Sequence, residues 1–174
     1  MRIYLIGPRA CGKTSIGRML ASRMSYGFVD TDEIVVQRVG ESIASLVDRD
    51  GWESFRNQEQ DVLSDLSHSN DLVIATGGGI ILRPANRQVL QGRGITVYLQ
   101  ASAETLSSRL AAEPLAEQRP ALTDTSPVLE VRSVLKEREP LYLECADITV
   151  SAEESLDLVA DAILTSIKRR GEYS

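Results

Sequence analysis

Residues 7–14, GPRACGKT, place glycine, lysine and threonine at the spacing of a loop that wraps phosphates with backbone N–H groups. Glycine leaves room where a side chain would block a phosphate, and Lys13 offers a compact positive charge to the outer phosphates. The apolar run 3–6 precedes the motif, and residues 15–24 carry apolar residues at a helical period. A glycine-rich turn without a nucleotide is the simpler alternative. The strand, turn and helix context instead predicts a site for a nucleotide triphosphate.

Two carboxylates, Asp30 and Asp32, follow a second short apolar stretch at residues 28–29. Beside a phosphate loop, one carboxylate can hold magnesium through water while the other orients and deprotonates an attacking hydroxyl. Aspartate is also favoured at helix starts, so a helix cap is the alternative. We favour the functional interpretation because a pair of carboxylates accompanies a phosphate loop.

Two arginines could bind an anion. Arg56 precedes Glu59 by three residues, so the carboxylate can steady the guanidinium, unless the two form only a solvated surface pair. Arg138 lies on the apolar stripe of a predicted helix, where a charge is costly unless it is paired. The other stripe residues, at three- and four-residue steps, are Val128, Val131, Leu135, Tyr142 and Cys145. The partner of Arg138 could equally be a protein carboxylate or a substrate.

Three glycines in the stretch TGGG, Gly77, Gly78 and Gly79, follow the apolar run 72–75. Positions without side chains let a ligand approach bare backbone N–H groups, which are good donors to anions and hydroxyls.

The elements that must position these residues alternate along the chain. Strand-like runs at residues 3–6, 28–29, 72–75, 96–99 and 148–150 are separated by helical stretches. This alternation predicts an α/β fold with a parallel sheet covered on both faces, and ligands gather at the carboxyl ends of such strands. Residues 42–63 predict two short helices separated at Gly51.

One segment, residues 111–127, has three prolines and little periodicity, with Arg119 as its one basic residue. Long loops in compact domains are usually functional or disordered. The segment is either a lid that excludes water from phosphoryl transfer or a surface excursion.

The composition limits the class of protein. A chain of 174 residues, 43 % hydrophobic, predicts one domain with a sizeable core, and a net charge of −6 argues against a nucleic-acid or anionic-membrane surface. No apolar run approaches a membrane span, and no signal peptide is expected. Cys11 and Cys145 lack a paired metal spacing, which predicts free thiols in a reducing compartment. For Cys11 we expect a small residue fitted to a tight loop rather than a reactive thiolate.

Taken together, the chain resembles the shikimate kinases. GPRACGKT, FVDTD, GWESFRNQE, ATGGGIIL, VYL, RPAL and EREPLY occur in that family's order and approximate spacing, nearly from end to end. The resemblance implies a three-layer phosphate-loop kinase fold of the nucleoside-monophosphate-kinase type, with five parallel strands ordered 2-3-1-4-5 and a lid. It implies a single domain over residues 1–174, with substrate-binding helices at about 32–66 and the lid at about 111–127. The loop sequence is somewhat closer to the second bacterial isoform.

The resemblance also implies ATP and Mg²⁺ as cofactors. It makes Lys13 a catalytic phosphate clamp, Thr14 a magnesium ligand and Asp30 a water-mediated magnesium partner. The implied nucleotide contacts are Gly7, Ala10, Cys11, Gly12, Lys13, Thr14, Ser15, Arg109 and Arg119. The stretch SAEES after the last strand lacks the Asn, Arg or Pro that often line the adenine, so no adenine contact is assigned there.

For the acceptor, the resemblance implies phosphoryl transfer to the 3-hydroxyl of shikimate in a cytoplasmic, monomeric enzyme of aromatic amino acid biosynthesis. Asp32 would hold the shikimate hydroxyls and act as the base, and Arg119 would reach the transferred phosphate from the lid. The implied carboxylate site and its surroundings comprise Arg56, Gly77, Gly78, Gly79 and Arg138.

Two alternatives remain at this stage. A kinase of another small acceptor, such as gluconate or a nucleotide, could use the same fold. A non-catalytic ligand sensor could retain the pocket, although binding alone requires neither a base at Asp32 nor a lid charge at Arg119.

Overall fold

The computed structural model describes residues 1–112 and 127–171. Within these residues the strands are β1 (Arg2–Ile6), β2 (Gly27–Asp30), β3 (Leu72–Ala75), β4 (Ile95–Gln100) and β5 (Ile148–Ser151). The helices are α1 (Lys13–Met24), α2 (Thr31–Val39), α3 (Ile43–Leu66), α4 (Pro84–Gly92), α5 (Ala103–Ala112), α6 (Pro127–Cys145) and α7 (Leu156–Gly171). A short 3-10 turn spans Ile80–Leu82.

The five strands form one parallel sheet in the order β2-β3-β1-β4-β5, which confirms the predicted fold class and strand order. Each apolar run predicted as a strand lies inside an observed strand. Successive side chains of β1 point to opposite faces, so Ile3 and Leu5 join one apolar cluster while Tyr4 and Ile6 join another. Both faces of the sheet are therefore packed at β1, which explains why this central strand is a continuous apolar run from Ile3 to Ile6.

The parallel arrangement brings three loops to one edge of the sheet. Leu5 of β1 and Asp30 of β2 both pair with Ala75 of β3, so these strands end side by side. The loops that carry the phosphate motif, the paired carboxylates and the glycines follow directly from those ends.

Helix α3 changes direction at Gly51, which has φ 80° and ψ 169° inside the helical span. The predicted division into two helices at this residue is confirmed, since glycine adopts a positive φ at little cost. A third apolar cluster, which includes Val35 of α2 and Phe55 and Val62 of α3, joins these two helices.

The segment expected to be a lid is shorter than predicted at both ends. Helix α5 continues through Ala112, and α6 begins at Pro127, a residue favoured in the first turn of a helix. Residues 113–126, and with them Arg119, lie outside the described residues.

The apolar stripe predicted on α6 is wrong at its first position. Val128 is 42 % exposed, because the core cluster that covers the start of this helix begins at Val131. Tyr142 and Cys145 are buried as expected. Across the described part of the chain, none of the helices combines the length and apolarity that a membrane crossing requires.

Candidate active site

The phosphate loop follows β1 and ends at the first turn of α1. Gly12 stands at the N-cap with φ 96°, and Gly7 adopts φ 146°, a backbone region that favours glycine. A Cβ on Gly7 would lie 2.7 Å from the carbonyl oxygen of Leu99 in β4. The loop therefore packs directly against the sheet edge, which fixes its position.

Lys13 folds back over this loop. Its Nζ donates to the carbonyl oxygens of Gly7 (2.9 Å) and Pro8 (2.7 Å) and lies 3.6 Å from Cys11 Sγ. The ammonium thus stands beside the N-terminus of α1, where the helix dipole also favours an anion. Ser15 is exposed in the same helical turn.

Arg109 of α5 connects the phosphate loop to the end of β5. It donates to the carbonyl oxygens of Ala10 (3.4 Å) and Ala152 (2.8 Å), and Ala10 itself has φ 64°. Cys11 is fully buried beside this link, as expected of a small residue in a tight loop. In the described structure, Cys11 and Cys145 are both free thiols.

A hydrogen bond joins the loops after β1 and β2. Thr14 Oγ1 donates to Asp30 Oδ2 at 2.8 Å, while Asp30 Oδ1 accepts from the backbone N–H of Asp32 at 3.0 Å. Asp30 is therefore the N-cap of α2, as the alternative interpretation held, and it also lies at the phosphate loop. The two interpretations are compatible because the two carboxylate oxygens have different partners.

These two side chains fit a magnesium ion. Mg²⁺ usually binds one or two carboxylates together with substrate phosphates and water, and here a hydroxyl and a carboxylate oxygen lie side by side at a phosphate loop. No group of three or more His, Cys, Asp and Glu residues in the described ranges could hold a metal without such help. A magnesium ion held here would need further ligands from phosphates and water.

A single pocket contains every predicted acceptor residue that the structure describes. Its charged and glycine lining includes Asp32, Arg56, Gly77, Gly78, Gly79 and Arg138. Pro8 and Arg9 of the phosphate loop line the same pocket. The fold thus places the predicted phosphate site and the predicted acceptor site against each other. Arg119 is the one predicted site residue outside the described structure.

Arg56 is held firmly on the wall of this pocket. Its Nη1 donates to Glu59 Oε2 at 2.6 Å, and its guanidinium lies 5.5 Å from the ring centroid of Trp52 and 5.2 Å from that of Phe55. The side chain of Arg56 is only 12 % exposed and that of Glu59 is 0 % exposed, so this is not a solvated surface pair. A partly dry guanidinium fixed on one side can present its remaining donors to an anion.

Glu59 is a fully buried carboxyl group between charges of both signs. Burial raises the pKa of Glu59 above its ordinary value, the charge of Asp32 adds to that rise, and Arg56 and Arg138 oppose it. Its second oxygen, Oε1, accepts no hydrogen bond from the described part of the chain. The charged form of Glu59 is therefore only partly compensated.

Two of the three glycines, Gly77 and Gly79, allow charged side chains to approach the backbone. The prediction of a bare backbone N–H group is wrong for Gly77, because this group donates to Thr31 Oγ1 at 3.0 Å. A Cβ on Gly77 would lie 2.8 Å from Asp32 Oδ1 and would also collide with Glu59 Oε1, and one on Gly79 would collide with the Arg56 guanidinium. Gly78 faces the phosphate loop, since a Cβ there would be 3.5 Å from the backbone nitrogen of Arg9.

Several pocket residues were missed in the sequence. Arg9 occupies a variable position of the phosphate motif, and Trp52 lies four residues before Arg56, a spacing at which side chains share a helix face. The helical spacing of Trp52 and Arg56 was the available signal. The part played by Tyr142, whose hydroxyl donates to the Gly78 carbonyl oxygen at 2.5 Å, had no signal beyond its place on an apolar stripe.

Comparisons with known proteins agree with this geometry. A sequence model of the family "Shikimate kinase" matches residues 9–168. "Shikimate kinase 2" of Sodalis glossinidius is 42 % identical over 165 residues, which cover 95 % of this chain and 94 % of that protein. "Shikimate kinase" of Oleidesulfovibrio alaskensis is 44 % identical over 170 residues, covering 98 % and 99 %. The solved shikimate kinase from Acinetobacter baumannii in complex with shikimate is 36 % identical, with a TM-score of 0.91 and coverage of 97 % and 93 %.

The parallel sheet of this order, with a phosphate loop after its first strand and paired carboxylates after its second, defines a phosphate-loop kinase. Within that class the family match and the relatives decide the assignment. The chain belongs to the shikimate kinase family. Its curated relatives include proteins named "Shikimate kinase" and "Shikimate kinase 2", so the chain matches the family under both names.

We expect Glu59→Gln to become more stabilising relative to the unsubstituted chain as the pH rises. The folded-state pKa of Glu59 lies above its unfolded value, so its contribution to stability is complete below the unfolded pKa. That contribution is lost as the pH rises through the folded pKa, whereas glutamine does not titrate. The melting temperature of the variant minus that of the unsubstituted chain should increase from about pH 4 upward and then level off.

Differential scanning calorimetry from acid to neutral pH measures this difference. Glu33→Gln is the matched control, because Glu33 is an exposed glutamate and its side chain pairs with the exposed Arg18. A Glu59→Gln difference that stays constant or shrinks with rising pH would contradict the raised pKa.

Proposed function

We propose that this chain transfers the terminal phosphoryl group of ATP to the 3-hydroxyl of shikimate, giving shikimate 3-phosphate and ADP. The reaction belongs to the biosynthesis of aromatic amino acids. The observation that carries the proposal is the shared pocket, in which Pro8 and Arg9 of the phosphate loop stand with Asp32, Arg56 and Arg138. A phosphate donor and a carboxylate-bearing acceptor would thus meet without a large movement of the described elements.

In the proposed reaction, Asp32 orients the acceptor hydroxyl and accepts its proton as the oxygen bonds to the γ-phosphorus and ADP departs. Lys13 contributes its positive charge to the outer phosphates, and the backbone N–H groups at the N-terminus of α1 contribute hydrogen bonds. Thr14 and Asp30 would hold a magnesium ion, which supplies positive charge to the phosphates. Arg109 lies at the side of the phosphate loop where it would contact the nucleotide.

Arg56 and Arg138 would hold the shikimate carboxylate together, with Gly78 and Gly79 beside them. Asp32 is negative and the two arginines are positive. The acceptor's hydroxyl end would therefore bind beside Asp32, and its carboxylate end beside the arginines. Arg119 would reach the transferred phosphate from the segment after α5. The proposal includes a cytoplasmic enzyme, because ATP is plentiful in the cytoplasm. It also includes a monomer, because one chain supplies all these groups.

The acceptor is tested by following ADP release from ATP and Mg²⁺ with shikimate, gluconate and nucleoside monophosphates in turn. We expect turnover with shikimate only, its loss on chelation of magnesium and its return on adding the metal back. A Lys13→Ala enzyme should lose about 100- to 1,000-fold in turnover, as for other preorganised charge contacts. Faster turnover with gluconate or a nucleotide than with shikimate would overturn the proposed acceptor.

The carboxylate contact predicts a specific defect in Arg138→Lys. Lysine keeps the charge but loses the fork of parallel donors, so we expect shikimate affinity to fall by about tenfold or more, equivalent to about 1.4 kcal/mol, while ATP affinity changes little. A shikimate analogue with its carboxylate reduced to an alcohol should bind the unsubstituted enzyme poorly and lose much less on going to the variant. Isothermal titration calorimetry measures the affinities of both enzymes for shikimate, ATP and the alcohol analogue.

Arg132→Lys is the matched control, because Arg132 lies on the same helix but is exposed and pairs with Glu104 outside the pocket. Equal damage to ATP and shikimate binding in Arg138→Lys, or phosphorylation of the alcohol as efficient as that of shikimate, would refute the carboxylate contact.

Gly79→Ala should damage the acceptor site without damaging the fold. Gly79 has φ −99° and ψ 7°, which alanine can adopt, but its Cβ would displace the Arg56 guanidinium. We expect the KM for shikimate to rise by about tenfold, the effect of losing about 1.4 kcal/mol. The melting temperature should fall by less than about 3 °C, because the displaced atoms are the end of a flexible side chain.

Gly92→Ala, at the end of α4, is the control, since a Cβ there meets nothing within 4 Å. An unchanged KM for shikimate in Gly79→Ala would show that shikimate binding does not require the present position of the Arg56 guanidinium.

A further inference from the structure

Tyr142 lies behind the pocket wall, one helical turn after Arg138 on α6. Its side chain is 0 % exposed and its ring is stacked on that of Tyr98, with centroids 5.0 Å apart and an interplanar angle of 19°. Residues four apart on a helix lie on the same face, so α6 presents Arg138 to the pocket and Tyr142 to the loop beneath it.

The hydroxyl of Tyr142 connects α6 to the glycine loop of the acceptor site. It donates to the Gly78 carbonyl oxygen at 2.5 Å. Burial raises the pKa of Tyr142 far above its ordinary value, and the positive charge of Arg138 opposes this rise. The phenol therefore stays protonated as a donor to Gly78.

This contact also sets the direction of the next N–H group. The Gly78–Gly79 peptide bond is trans, as are all those described, and in a trans peptide the C=O and N–H bonds point in opposite directions. With the Gly78 carbonyl fixed toward Tyr142, the N–H of Gly79 points away from Tyr142. Gly79 itself lines the pocket and packs against the Arg56 guanidinium.

We propose that Tyr142 is a positioning residue that fixes the Gly78–Gly79 peptide in one arrangement for the acceptor's carboxylate. The inference rests on the proposed function, because it concerns the carboxylate end of the same pocket. Tyr142 acts from the core side of the pocket wall, through this peptide. Its loss would leave the charges of Arg56 and Arg138 in place but remove the alignment of the Gly79 N–H group.

Tyr142→Phe tests this role, with Tyr98→Phe as the matched control. Both tyrosines are fully buried in the same stack, but the hydroxyl of Tyr98 is directed to Glu139 (3.4 Å) rather than to the glycines. Trp52 is the one tryptophan of the chain and lines the pocket, so its fluorescence reports acceptor binding directly.

We expect Tyr142→Phe to weaken shikimate binding about tenfold and to raise its KM by a similar factor, while kcat and ATP affinity change less than about threefold. Tyr98→Phe should leave all four quantities within about twofold of the unsubstituted enzyme. The alcohol analogue of shikimate should lose less than about twofold in affinity in Tyr142→Phe, since it lacks the carboxylate. A purely structural role would instead reduce kcat and both substrate affinities together.

The possible failures are distinguishable. If the unsubstituted enzyme neither binds nor phosphorylates shikimate, the proposed function fails. If it does both and Tyr142→Phe behaves as Tyr98→Phe does, or loses the acid and the alcohol equally, the positioning role is overturned. Should Tyr142→Phe not fold, amide hydrogen exchange in the unsubstituted enzyme replaces it: shikimate should slow exchange at Gly79, and an unchanged rate would contradict the inference.

Discussion

Charged side chains crowd against residues 77–79, and this crowding is the constraint on which the acceptor half of the site depends. Asp32 and Glu59 approach Gly77, and the guanidinium of Arg56 approaches Gly79, more closely than a Cβ would permit. Helices α2 and α3 can bring their charges to the loop after β3 only because that loop has no side chains there. The charged groups are consequently held by packing, which is what precise recognition of a small polar molecule requires.

The same arrangement opposes folding. A buried charge loses its hydration at a cost of several kcal/mol, and the Arg56 contact offsets this only in part because Glu59 also faces the charge of Asp32. The fold offsets this cost elsewhere, in a sheet whose first strand is completely buried from Ile3 to Ile6. The buried sheet therefore stabilises the fold, whereas the incompletely compensated charges lie at the edge of that sheet.

Much of the architecture follows from local sequence. Short strand-like runs located all five strands, GPRACGKT located the phosphate loop, and Gly51 located the break in α3, because each depends on a few adjacent residues. The spacing of Arg56 and Glu59 likewise predicted their pairing. Features that depend on packing between distant elements escaped prediction. The glycines were expected to expose N–H groups rather than to admit side chains, and the bond from Tyr142 to Gly78 joins residues 64 positions apart. For Arg138, sequence left a protein carboxylate and a substrate equally open, and the structure places it both in the pocket and near Glu59.

The folded-back position of Lys13 has a consequence for selectivity among nucleotides. Its ammonium already has two carbonyl acceptors, those of Gly7 and Pro8, so a ligand gains only the difference between its own contact with the lysine and the two it replaces. A polyphosphate brings several charged oxygens to the helix N-terminus and can exceed two neutral carbonyls, because charge-assisted hydrogen bonds are the stronger kind. A nucleoside with one phosphate brings fewer. The loop's own backbone therefore competes with any bound nucleotide for Lys13, and a longer phosphate chain has more charged oxygens with which to exceed that competition.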